Sequence, residues 1–139
     1  MDTYKPLYLE NLTSFNLEQS QLALVERDAL SGSNAFFRKL MQTKFNIIGQ
    51  VFRASSTADI RFLLEEDIPA NLRSDPFFEL WVADMANVCN VFCDMVGEDA
   101  IGFCLGTERG CRRYHIDNVP MRLLVTLSLI HISEPTRPY

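Results

Sequence analysis

The sequence predicts an α+β domain, with helices gathered ahead of Val96 and antiparallel strands after Gly97. Three observations carry this. One long, well-capped amphipathic stretch runs from Asp75 to Val96. Beyond Gly97 the pattern changes to short, β-prone runs broken by turn residues. The chain has 139 residues, 47% apolar and 22% charged, enough for one domain with a real core.

In chain order, Leu17, Leu22, Val25 and Leu30 recur among polar residues and predict an amphipathic helix over Asn16 to Leu30. SGSNAFFRKLMQ predicts a second, short helix capped by Ser33 or Asn34. Phe45 to Phe52 is apolar and partly β-branched, and predicts a strand despite Gly49. Ser56 to Glu66 predicts a helix capped by Thr57, with Ile60, Leu63 and Leu64 on one face and the Glu65–Glu66 pair in solvent. In the long helix Asp75 is the N-cap and Pro76 takes the first helical position, where its missing N–H costs nothing. Phe77, Trp81, Met85, Val88, Phe92 and Met95 then form a core-facing stripe, which Gly97 terminates. Ala100 to Leu105 predicts a strand, GTERG a turn, Cys111 to His115 a pairing strand, and Met121 to Leu127 a further strand after Pro120. No repeat, low-complexity segment or linker divides the chain.

The formal charge of −5 excludes an ordinary nucleic-acid binder, whose Lys/Arg clusters neutralise phosphates; the densest basic group here is Arg109, Arg112 and Arg113. MDTYKPLYLE lacks the apolar segment of a secretory signal, and Met121 to Ile132 is too short to span a membrane. Cys89, Cys93, Cys104 and Cys111 are therefore read as reduced thiols, and the expected compartment is the cytoplasm. No phosphate-cradling glycine loop or serine-nucleophile elbow is present.

The chemistry gathers in CRRYHIDNVPMRLL. Along a strand, side chains alternate, so His115 and Asp117 share a face and Ile116 takes the other. An imidazole and a carboxylate on one face suit a divalent cation such as Fe(II), Mn(II) or Zn(II). Two donors alone bind weakly, and a histidine hydrogen-bonded to a neighbouring acid accounts for the same pair.

Cys111, Arg113, Tyr114, His115, Asp117, Val119, Pro120, Arg122 and Leu123 resemble a motif of the bacterial domain-of-unknown-function family 1826. That motif reads Cys-Pro-Arg-Phe-His-x-Asp-x-Val-Pro-x-Arg-Leu, and Arg112 here replaces its proline. WVADMANVCNVFCDMVGEDAIGFCL and the opening DTYKP also resemble that family, so the likeness covers most of residues 1–126. The family's His-x-Asp is in turn similar to the first two metal ligands of the cupin-like, double-stranded β-helix Fe(II)/2-oxoglutarate oxygenases. The resemblance implies that the strands begin such a β-helix and that the sheet is incomplete. It also implies metal ligation by His115 and Asp117, with a distal histidine several strands later. Arg113 and Arg122 become candidates for an anionic co-substrate, although a strand arginine more often pairs with an acid. Cys111 stands as a metal ligand, a residue supporting a ligand, or core filling.

The tail LSLIHISEPTR resembles the translation of a sequencing adapter over eleven successive residues. The expectation is a single truncated domain over residues 1–126 and a foreign tail over residues 127–139, which leaves His131 without a role. Cys89 and Cys93 with Cys104 and Cys111 make a weaker zinc candidate, since Cys-x3-Cys within a helix is not a zinc-knuckle spacing. Two functions follow. One is an Fe(II) oxygenase-like enzyme on His115 and Asp117, inactive as this fragment. The other is a non-catalytic zinc-binding or metal-homeostasis protein in which Cys111 joins that pair. Self-association through an exposed sheet edge is expected in either case.

Overall fold

The computed structural model describes residues 2–15, 20–25, 32–106, 113–118 and 121–126. For residues 2, 20–23, 113–115, 117–118 and 121–126 it describes the backbone alone. The fold is α+β. Strand β1 (Asp2–Tyr4) pairs in parallel with β2 (Ser20–Ala23). A 3₁₀ helix (Leu9–Ser14) lies between them. Then follow α1 (Ser33–Leu40), β3 (Asn46–Phe52), α2 (Ser56–Glu65), the short α3 (Ala70–Arg73) and α4 (Pro76–Val96). The chain finishes its described course with β4 (Ala100–Gly106), β5 (Arg113–Asn118) and β6 (Met121–Thr126). The last four strands form one antiparallel sheet in the order β3-β4-β5-β6.

The long helix follows its sequence signals closely. The Asp75 carboxylate accepts a hydrogen bond from Phe77 N–H at 2.9 Å, and Pro76 occupies the first turn. At the other end Gly97 takes a left-handed φ of 71°, which admits a residue without Cβ most readily, and Glu98 N–H donates back to Cys93 C=O at 3.0 Å. Between these caps Phe77, Trp81, Met85, Val88 and Phe92 are buried, as the stripe predicts, and Met95 packs at its margin. Phe36 and Phe37 of α1 meet Phe77 and Trp81 with ring centroids 5.0–5.5 Å apart, in tilted or edge-on contacts that suit the ring quadrupoles. Leu9 and Leu12 of the 3₁₀ helix add to the same core.

The sheet covers this core with one face. Ile47, Val51, Ile101, Phe103, Leu105 and Ile116 are buried there, and Leu63 of α2 sits over Gly49. The alternate residues of β3 point away: Ile48 is 71% exposed and Phe52 47%. Two ion pairs tie α4 to the segment after β3. Arg53 donates to Asp94 through Nε and a terminal nitrogen at 2.6 and 3.1 Å, and Arg61 donates to Glu79 at 2.6 Å.

Several expectations need correction. Ser20–Ala23 is extended, not helical, because it pairs with β1 and Leu24 N–H then donates to Tyr4 C=O at 2.8 Å. The remaining parts of that expected helix, residues 16–19 and 26–30, lie outside the described residues. Helix α1 has Gly32, with φ 82°, at its N-cap, and neither Ser33 nor Asn34 caps it. Thr57 lies inside α2, whose cap position belongs to Ser55. The strands are also not all C-terminal. Strand β3 precedes three helices in the chain and still lies antiparallel beside β4. Arg53 N–H donates to Asp99 C=O at 2.8 Å and closes that pair at the end of the ladder.

Candidate functional site

Both candidate ligands lie on β5, an inner strand of the sheet. The strand runs three residues past the predicted end at His115, to Asn118, because it pairs with β4 on one flank and β6 on the other. Ile116 is fully buried on the helix-covered face. By alternation the neighbouring positions 115 and 117 belong to the opposite face.

The register shows what stands beside them. His115 is the Cα partner of Cys104 on β4 and of Leu124 on β6. Asp117 is the partner of Gly102 on β4 and of Arg122 on β6. One strand further out, Cys104 pairs with Ile48 and Gly102 with Gln50. The face away from the helices therefore carries two cross-strand rows: Ile48, Cys104, His115, Leu124, and Gln50, Gly102, Asp117, Arg122. The described side chains agree with this assignment. Ile48, Gln50 and Gly102 are exposed and Cys104 is half-buried, whereas Ile47, Phe103 and Leu105 are buried.

Of the two arginine candidates, Arg122 stands opposite Asp117. Arg113 lies on the same face of β5 as His115, two positions earlier, opposite Thr126. An arginine across from an acid is the arrangement in which the two pair, so this register suits ion pairing with Asp117 as well as anion binding. Cys111 and His131 lie outside the described residues.

The structure separates the other cysteines. Cys89 and Cys93 are buried on the core side of α4, and burial pushes the Cys89 thiol up to about 12, with a smaller contribution from Cys93. Cys104 sits on the far face of the sheet. A zinc site joining Cys89 and Cys93 to Cys104 is thereby ruled out, and among the described residues no group of three His, Cys, Asp or Glu side chains could hold a metal ion. Buried thiols this hard to ionise behave as small apolar groups.

Sequence reasoning placed Cys104 only in that four-cysteine alternative and missed its position across from His115. The signal was hidden in the register. A one-residue shift in where β5 begins within GTERGCRRYH changes every partner, and the composition of the turn does not fix it.

Comparison with known proteins adds one match. The family described as "Protein of unknown function (DUF1826)" matches residues 8–128. No curated protein and no solved structure matches the chain. Among the described residues no helix is long and apolar enough to cross a membrane.

Proposed function

We propose, from the premise that this chain belongs to the DUF1826 family, that it is a divalent-metal-binding protein whose His115 and Asp117 supply the first two ligands. The observation that carries the reading is their placement. Both stand on one inner strand, on the face turned away from the buried Ile116. An inner strand is hydrogen-bonded on both flanks, so its backbone holds two ligands at a fixed separation. An imidazole nitrogen and a carboxylate oxygen are a donor set that Fe(II) and Zn(II) both accept. Bound there, the ion would supply a charge that polarises and orients a co-substrate.

The finer reading is an Fe(II)/2-oxoglutarate oxygenase-like scaffold, the start of a cupin-like double-stranded β-helix. Its support is the motif's similarity to the first two ligands of those enzymes, together with a sheet that is helix-covered on one face and carries the motif on the other. In that reading Arg113 and Arg122 hold an anionic co-substrate, and His131 is not the distal ligand. The competing reading is a non-catalytic zinc-binding protein. It is favoured by a thiol, Cys104, across from His115. The acidic chain, whose densest basic group is Arg109, Arg112 and Arg113, supports a protein that does not bind nucleic acid, and the reading of its thiols as reduced supports a cytoplasmic one.

The test is metal analysis of the protein after loading with Fe(II) or Zn(II) and gel filtration. Wild type and His131→Ala retain one ion per chain, whereas His115→Ala and Asp117→Ala lose most of it. Equal metal content in all four proteins sinks the proposal.

A further inference from the structure

The cross-strand partner of His115 supplies a third donor that the motif does not contain. Cys104 and His115 are Cα partners in the antiparallel β4–β5 ladder, and Asp117 follows two residues later on the same face. We propose that Cys104, His115 and Asp117 form one Cys/His/Asp site that selects Zn(II), an inference that rests on the metal-binding reading above.

The backbone sets the scale. Directly opposed antiparallel residues have Cα atoms about 4.5–5.5 Å apart. Residues two apart on a strand are separated by about 7 Å. The register thus places a thiol-bearing, an imidazole-bearing and a carboxylate-bearing position on one face, at the corners of a triangle of that size. Zinc takes sulfur at about 2.3 Å and nitrogen or oxygen at about 2.0–2.2 Å. Gly102, opposite Asp117, contributes no side chain to the fourth corner of this quadrilateral.

The donor set decides the metal. A thiolate with an imidazole suits Zn(II) better than Fe(II) or Mn(II), which take imidazole and carboxylate readily without sulfur. Three protein ligands with one open position are the composition of a reactive zinc site, whereas a structural zinc is closed by four. Cys104 also differs from the other described cysteines in the way a ligand must. Cys89 and Cys93 are sealed in the core, while Cys104 is half-buried on the sheet face away from the helices.

The experiment titrates the full, metal-free chain with Co(II), a coloured stand-in for Zn(II), and follows the near-ultraviolet charge-transfer band that only a thiolate ligand produces. Wild type and Cys111→Ser bind one equivalent and show the band. Cys104→Ser loses the band and binds Zn(II) at least about tenfold more weakly, since loss even of a group behind a ligand costs that much. Cys104→His binds one equivalent without the band, which also demonstrates that the sheet tolerates substitution there. X-ray absorption of zinc-loaded Cys111→Ser protein finds one sulfur neighbour.

A Cys104→Ser protein that keeps both band and affinity overturns this inference, as does a zinc shell without sulfur. If His115→Ala and Asp117→Ala still lose the metal in that case, the metal-binding reading stands without Cys104. If they too leave Co(II) binding unchanged, that reading falls as well.

Discussion

Gly49 of β3 lies directly beneath Leu63 of α2: a Cβ at Gly49 would stand 2.5 Å from one Leu63 methyl carbon and 3.0 Å from the other. The glycine lets the helix settle onto the sheet, and so sets the spacing between the layers. Leu63 is half-buried and its methyls can turn aside, so Gly49→Ala is expected to cost about 1 kcal/mol or less. Gly49→Val brings two more methyls and should cost about 1–3 kcal/mol, the usual range for overpacking. Urea unfolding of Gly49→Val, Leu63→Ala and the double variant checks the coupling. The double variant should be more stable than the sum of the two single losses implies; strict additivity would place the strain elsewhere.

The cap of α4 provides a second measurement. Asp75→Ala removes the carboxylate that receives Phe77 N–H and should lower stability by about 1 kcal/mol. Asp75→Asn keeps an acceptor oxygen and should recover most of it. Chemical denaturation that finds the two variants equal would mean the side-chain cap contributes little.

Cys89 predicts a behaviour in alkali. Its buried thiol titrates at about 12, against about 8.5 for an exposed one. Because the folded value is the higher, the neutral thiol favours the folded state fully below about pH 8.5 and loses that advantage as pH rises toward 12. Stability should therefore decline more steeply above pH 8.5 in wild type than in Cys89→Ala, even though the variant is weaker at pH 7 because of its cavity. Parallel declines would contradict the assignment. Iodoacetamide at pH 8 should correspondingly label Cys104 ahead of Cys89 and Cys93 in the folded protein.

The bidentate Arg53–Asp94 pair is exposed at 48% and 45%, and the Arg53 hydrogen bonds hold the Asp94 carboxyl below its ordinary range. Its contribution is present above the usual carboxylate range and disappears as pH falls through the depressed value. Arg53→Ala should thus lower the melting temperature only slightly near neutrality. The difference should shrink in strong acid and in about 1 M salt, where screening acts within about 3 Å. A difference that survives both would show that Arg53 acts through packing.

Among the described residues β3 and β6 are the outer strands of the sheet, and an outer strand presents backbone groups for pairing with another chain. The 139-residue chain is expected to self-associate in light scattering at tens of micromolar, and Leu124→Lys on β6 to reduce it. A monodisperse wild-type monomer would remove the edge-pairing proposal.

Local chemistry decided what was readable in the sequence. The caps and stripe of α4, the strands around Phe45–Phe52 and Ala100–Leu105, and the shared face of His115 and Asp117 all follow from short-range rules of spacing, capping and alternation. The family, too, was legible, because CRRYHIDNVPMRL carries its motif in contiguous residues. Long-range pairing overrode those rules elsewhere. Ser20–Ala23 has helical spacing but takes its hydrogen bonds from β1, and the partner of β4 comes from ahead of three helices. Register was likewise a tertiary decision. Nothing in the spacing of Cys104 and His115 reveals that they face each other, because a one-residue slip in the connecting turn would set each against a different neighbour. The sequence by itself determined which residues are candidate metal ligands. Only the folded sheet, through the pairing of β4 with β5, decided which of them stand together.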